Sequence, residues 1–321
     1  MKPKALPNAV AWIISMNLFG AALASAQLTW DADGTAGANP SDGSGGWPNA
    51  NLWWNGTTHT TWDNVANANT MAIFGAGGTS GTVTLGPNSG TTGSISARDL
   101  RFDPVTGAIG YLIGGGTLNL AAGSVIDIRD GASSSGALGR VRFSSTSVLA
   151  GSDITISNAV AGGNFASYST LSGSNTWTGT LTLTGNSGGL FVDTTTANAL
   201  STLTAVNIGT TATLAMNTGT YNVPTIRIGG AGLGGRGSLR FDNGTVNVNS
   251  NIILTADGRM STNASGIGVI NGVISGTGFN LGINSSTDNI NRIVLKNTNT
   301  FGQLTVSRGN AQVGEAGRGT S

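Results

Sequence analysis

Leu171-Ser172-Gly173-Ser174-Asn175-Thr176-Trp177-Thr178-Gly179-Thr180-Leu181-Thr182-Leu183 decides how this chain is read. A hydrophobic residue leads into Asn-Thr-aromatic, a glycine follows, and Leu181 and Leu183 then alternate with threonine. Alternation at period two places the leucines on one face of a strand and the threonines on the other. A looser copy returns at Leu295 to Val306, Leu-Lys-Asn-Thr-Asn-Thr-Phe-Gly-Gln-Leu-Thr-Val. The unit is strand, turn, strand, used twice.

The same texture fills most of the sequence. Short alternating runs such as Leu100-Arg101-Phe102, Thr117-Leu118-Asn119-Leu120, Ile154-Thr155-Ile156 and Thr225-Ile226-Arg227-Ile228 are separated by glycine and asparagine. No window has the 3.6-residue period of an amphipathic helix, so helix is excluded beyond single turns. With 52 glycines but Val, Leu and Ile recurring at period two, the glycines read as turn residues of a folded chain rather than as disorder. A sandwich carries fewer, longer strands, and a propeller repeats a fixed motif per blade. Drifting strand–glycine–strand units predict an all-β, right-handed parallel β-helix over residues 76–321, its inward Leu, Val and Ile forming a narrow core. Asn and Gly are expected at corners of positive φ.

Residues 1–26 carry Lys2 and Lys4, an apolar run from Val10 to Leu23 and small residues at Ala24-Ser25-Ala26, the pattern of a signal peptide cleaved after Ala26. No later stretch suits a transmembrane helix. There is no cysteine, so burial and hydrogen bonding alone must hold an exported chain together. Only 9% of residues are charged, and the single lysine beyond the signal is Lys296. That composition excludes a nucleic-acid footprint and a polybasic membrane-binding surface.

Residues 27–75 differ in texture. Trp30, Trp47, Trp53, Trp54 and Trp62 lie among turn signals such as Asp31-Ala32-Asp33-Gly34 and Asn55-Gly56. The segment is expected to cap the open end of the helix. The functional alternative is a glycan-contact patch of Trp47, Trp53, Trp54 and Trp62, whose flat rings would stack on sugars.

The acidic residues decide the enzyme question. They are dispersed, with Asp31/Asp33, Asp99/Asp103 and Asp127/Asp130 as the closest sets. Asp99, Arg101 and Asp103 share one strand face and read as a charge pairing between coils or, alternatively, a site. Asp31-Ala32-Asp33-Gly34 begins like a Ca²⁺ loop but lacks the downstream glutamate, the only Glu being Glu315. His59 is the only histidine; with no cysteine, zinc would need carboxylates alone beside it, and although serines are abundant none sits in the Gly-x-Ser-x-Gly elbow of a triad. Gly229 to Gly237 lacks the Gly-Lys-Ser/Thr end of a phosphate loop and reads as a flexible corner. No catalytic, metal-binding or cofactor-binding residue is assigned.

On these residues, Leu171 to Gly179 resembles the autotransporter-associated β-strand repeat, Leu-x-Gly-x-Asn-Thr-Tyr-x-Gly followed by a Thr-rich strand. Repeats are placed near 171–192 and 295–314, the second with Phe301 in the aromatic position. Trp30-Asp31, Trp62-Asp63, Ala72-Ile73-Phe74 and Gly81-Thr82-Val83 are similar to the opening of large exported bacterial proteins that carry these repeats. The resemblance implies a β-helical passenger or stalk at the cell surface, adhesive rather than catalytic, whose partners are extracellular glycans or surface components. A polysaccharide-binding or polysaccharide-active β-helix is the alternative. After Gly314 the chain stops where another coil should begin, so it is expected to be incomplete there. Trp177 and Phe301 are expected to be at least half buried, at equivalent corners of two coils.

Overall fold

The computed structural model describes residues 26–35, 40–87, 91–105, 110–129, 140–158, 167–284 and 291–314. Residues 1–25 of the expected signal segment, Asp130-Gly131, Asp288 and everything after Gly314 lie outside the described residues.

The chain forms the expected parallel β-solenoid. Each coil contributes to up to three parallel ladders. The first ladder runs through Gln27–Trp30, Met71–Phe74, Asp99–Phe102, Val125–Ile128, Thr155–Ser157, Thr180–Thr184, Ala205–Ile208 and Thr225–Gly230, then onward to Thr300–Phe301. The second includes Thr82–Thr84, Tyr111–Gly114, Arg140–Phe143, Ser167–Leu171, Leu190–Thr194 and Ala212–Met216. The third begins with Gly93–Ala97, Gly116–Leu120 and Ser147–Ala150 and resumes at Gly219–Tyr221.

Register explains the core. Leu100, Ile126, Ile156, Leu183, Ile208, Ile228 and Leu254 are successive partners in the first ladder and are all buried. Leu181, Val206, Ile226, Ile252 and Ile274 form a second such column. With rungs about 4.8 Å apart, each branched side chain rests on one of similar size, and threonine takes outward positions. Among the described residues helix is confined to the 3₁₀ turns Ala197–Leu200 and Leu233–Gly235. Not every strand is short: Leu239–Val248 and Asn251–Ile270 run through corners without losing their pairing.

Asparagine acts at corners in a way the sequence did not suggest. Among described non-glycine residues only Asn51, Asp153 and Asn284 have positive φ. Several corner asparagines instead bond to the coil before. Asn249 Nδ2 donates to Asn222 Oδ1 at 2.7 Å, Asn271 Nδ2 to Asn249 Oδ1 at 2.8 Å, and Asn297 Nδ2 to the Asn271 carbonyl. Such side-chain ladders add hydrogen bonds parallel to the backbone ones.

The repeat unit obeys the same logic. The Asn175 Oδ1 accepts the Leu149 N–H of the preceding coil at 2.9 Å, and its Nδ2 donates to the Ala199 carbonyl of the following one at 3.1 Å. Trp177 is fully buried and its Nε1 donates to the same carbonyl at 3.0 Å. Gly173 is required because a Cβ there would lie 1.9 Å from the Ser147 carbonyl oxygen, and Gly179 has φ +72°. In the second copy Asn299 Oδ1 accepts the Ile274 N–H at 2.8 Å. Phe301 packs partly buried against the core.

The two copies do not occupy equivalent corners. The first leaves the second ladder at Leu171, replaces the third-ladder strand and enters the first ladder with Leu181. The second leaves the third ladder at Leu295, places Phe301 in the first, and delivers Leu304 to the second. What repeats is the asparagine bond to the coil before. The face is shifted by one.

At the N-terminal end the order changes from parallel to antiparallel. Gln27–Trp30 pairs on one side with Met71–Phe74 and on the other with Trp53–Trp54, which pairs antiparallel with His59–Thr60. Side chains finish the edge of the third ladder: Asn64 Nδ2 donates to the Ser94 carbonyl at 2.7 Å, Asn64 Oδ1 accepts the Ser96 N–H at 2.9 Å, and Trp62 Nε1 donates to the Ser96 carbonyl at 3.0 Å. One amide and one indole thus satisfy groups that a neighbouring strand would otherwise bind.

Candidate functional site

The tryptophans are the first candidates. Trp30, Trp47 and Trp53 are fully buried and Trp62 is 4% exposed. They pack edge-on and tilted against one another and Phe74, with ring centroids 4.7 to 6.1 Å apart. Trp30 Nε1 bonds to the Gly43 carbonyl at 3.2 Å and Trp53 Nε1 to the Trp47 carbonyl at 2.8 Å. The four-residue glycan patch is therefore corrected: Trp47, Trp53 and Trp62 have no ring face free for a sugar, because their surface covers the first coil. Only Trp54 is partly exposed, and its ring meets His59 at 4.9 Å.

The acidic sets are used in structure. Asp31 is buried, accepts the Ser41 N–H at 3.0 Å and meets His59 Nε2 at 2.6 Å. Asp33 accepts the Thr35 N–H at 2.9 Å, which with hydroxyls from Thr35 and Ser41 lowers its pKa to about 2. That is an Asx-type turn. Asp99 pairs with Arg98 at 3.3 Å and accepts the Val125 N–H at 2.8 Å, so it takes no part in a row with Arg101. Arg101 instead meets Asp103 at 2.6 Å, Asp103 meets Arg129 of the next coil at 3.7 Å, and Arg129 meets Asp127 at 2.8 Å. This is a charge chain between coils. Among the described residues no group of three or more His, Cys, Asp or Glu side chains could hold a metal ion.

A groove that the sequence reading missed lies on the outer face of the second ladder. Arg140-Val141-Arg142-Phe143 turns Val141 and Phe143 inward, leaving both arginines outside. Register places Tyr168 beside Arg140 and Phe191 beside Tyr168, while Arg142, Thr170 and Asp193 form the adjacent column. The Tyr168 and Phe191 rings lie 5.4 Å apart, inclined at 41°. Arg140 stands 5.3 Å over Tyr168 and Arg240 5.8 Å over Phe191, a cation at each end of the aromatic pair. The groove encloses about 210 Å³.

The glycine-rich segment Gly229 to Gly237, which packs behind Phe191, is not a loose corner. Thr213 Oγ1 donates to the Gly237 carbonyl at 2.7 Å and accepts the Leu233 N–H at 2.9 Å, while Gly237 N donates to the Ala231 carbonyl at 2.7 Å. Leu233 then packs on Phe191 and Ala215 and against Tyr168. Asp193 lines the groove, holding Asn217 Nδ2 at 2.7 Å. Burial, and then the Asp242 carboxylate, push its pKa up to about 6, against the opposing pull of Asn217 and Arg240. Asp242 is itself paired with Arg240 at 2.5 Å.

The chain is similar to an autotransporter adhesin. Adhesin BmaC autotransporter of Brucella suis biovar 1 (strain 1330) is 29% identical over 249 residues, covering 71% of this chain. The chain spans about 6% of that relative's length. No family model matches, and no solved structure matches. No helix among the described residues is long and apolar enough to cross a membrane.

The groove's parity was available from the alternation at 140–143. Its composition was not, since Arg142, Thr170 and Asp193 come from three coils whose relative register no local pattern specifies.

Proposed function

We propose that this chain is part of an exported surface adhesin, a passenger-type β-solenoid that acts by display rather than by catalysis. The observation that carries the reading is the stack of parallel ladders in a chain similar, over most of its length, to an autotransporter adhesin. Backbone ladders and corner asparagines fix the coils against one another, which suits a stalk. Outer faces rich in Thr and Asn offer hydroxyls and amides to extracellular glycans or cell-surface components. Removal of the leader after Ala26 would release a mature chain starting at Gln27.

Expression of the full chain on the surface of a non-adherent bacterium tests this. Increased attachment to host cells or immobilised extracellular glycans is the expected outcome, with protease-accessible protein outside the cell and an N-terminus at Gln27. Cells that attach no better than the empty-vector strain refute it.

A further inference from the structure

We propose that the groove between Arg142 and Asp193 binds one carboxylate-bearing sugar unit of an acidic glycan. About 210 Å³ is below the roughly 300 Å³ at which pockets begin to suit drug-sized ligands, and fits a single sugar ring or its equivalent. The floor is aromatic: Tyr168, partly exposed, offers ring surface to the apolar face of a pyranose, and Phe191, 8% exposed, backs it.

Charge decides the class. Arg240 is committed to Asp242, and Arg140 lies over the Tyr168 ring. Arg142 lines the groove from the adjacent column, and its buried Nε has no hydrogen-bond partner among the described residues. A buried guanidinium N–H without an acceptor is costly, and by turning outward into the groove Arg142 would find in a carboxylate the acceptor that matches its fork. Asp193, two rungs further along the same column, is placed to accept hydroxyls of the same ring. A neutral sugar would stack on the rings yet leave Arg142 unanswered. A dianionic phosphate would answer Arg142, but it has no apolar face for the rings and would approach Asp193.

This gives the adhesive reading a ligand class, and the two fail separately: surface attachment that survives loss of the groove leaves the adhesin reading intact and overturns only this one.

The test is calorimetric titration of the full purified chain with oligogalacturonate, hyaluronan oligosaccharides and sialyllactose, each beside its carboxyl-esterified form. At least one acid form should bind saturably, and its ester at least about tenfold more weakly, as expected for loss of a charge-assisted contact. Arg142→Met and Tyr168→Ala should each weaken binding by about tenfold or more. Arg98→Met, at the exposed Arg98–Asp99 pair, should leave it unchanged. Thermal unfolding of each variant checks that it is folded. Equal affinity for acid and ester, undiminished binding by folded Arg142→Met, or no binding of any of the three acids overturns the proposal. So does preferential binding of an acidic peptide.

Discussion

Replacing Asn175 by alanine should be among the most damaging single changes to a side chain of this size. Asn175 is 3% exposed and joins three coils: its Oδ1 takes the Leu149 N–H from the coil before, and its Nδ2 reaches the Ala199 carbonyl of the coil after. Alanine removes both bonds, at a net of about 1 kcal/mol each. The two broken ends then differ. The Ala199 carbonyl keeps the Trp177 Nε1 donor, so it is not orphaned. The Leu149 N–H has no such substitute, and an unsatisfied buried donor costs about 1–3 kcal/mol. The bond loss and the orphaned donor overlap, so the total is about 2–4 kcal/mol. Asn299→Ala should cost much less, about 1 kcal/mol. It loses one bond between coils, from Ile274, and an exposed one within its own coil, from its Nδ2 to the Asn297 carbonyl, at a partly exposed position that water can reach. Urea unfolding of both variants gives the comparison, but stacked coils need not unfold in one step. Amide hydrogen exchange at Leu149 is the sharper assay. About 3 kcal/mol corresponds to more than a hundredfold faster exchange if the opening is the same local event. Equal destabilisation by the two variants, or unchanged protection of Leu149 in Asn175→Ala, would refute the idea that one asparagine binds three coils.

Further outcomes follow from other features. Asn64→Ala should leave the core intact but speed exchange at the Ser96 amide, because the side chain accepting that N–H is gone; unchanged exchange there would mean the edge is protected by something else. Trp53→Ala opens a buried hole in the N-terminal cluster and should lower stability by about 3–5 kcal/mol, measured by thermal unfolding, whereas Trp54→Ala should cost far less. The Asp193 carboxyl, with its folded pKa raised to about 6, favours the folded state only while protonated. Its penalty is absent below about pH 4, grows between about pH 4 and 6, and is complete above that, at about 2–3 kcal/mol or less. Asp193→Asn should therefore stabilise the chain at pH 8 and give no gain at pH 4; a gain independent of pH would contradict the assigned cause. Incubation with the acidic oligosaccharides should yield no shorter products, and their appearance, lost in Asp193→Asn, would replace display by catalysis.

The inward column from Leu100 to Leu254 was legible because burial on one face forces period two, and that pattern survives any drift in coil length. Trp177 was legible as buried for the same reason: a large ring beside a turn glycine is hard to leave in water. What could not be read was lateral. The two Asn-Thr-aromatic units look alike in sequence but fall on faces one step apart, because the strand before each belongs to a different ladder. Likewise, exposure of the tryptophans depends on whether residues 45–62 fold over the first coil or away from it, and local composition is the same in both cases. The groove is the extreme example, since alternation identifies outward positions but not which of them become neighbours.

The finished edge at residues 53–64 has a consequence for how coils can be added. Among the described residues, pairing groups at that end are taken up by two-residue antiparallel strands and by the Asn64 and Trp62 side chains, so an incoming strand finds only the short segments Gly45–Gly46 and His59–Thr60 as a template. Stacking is thereby directional. A cap-to-cap junction of two copies would have only those short segments to pair with, whereas the other end presents the longer Asn310–Val313. Shortening the open strands at one end thus gives a periodic structure two unlike ends.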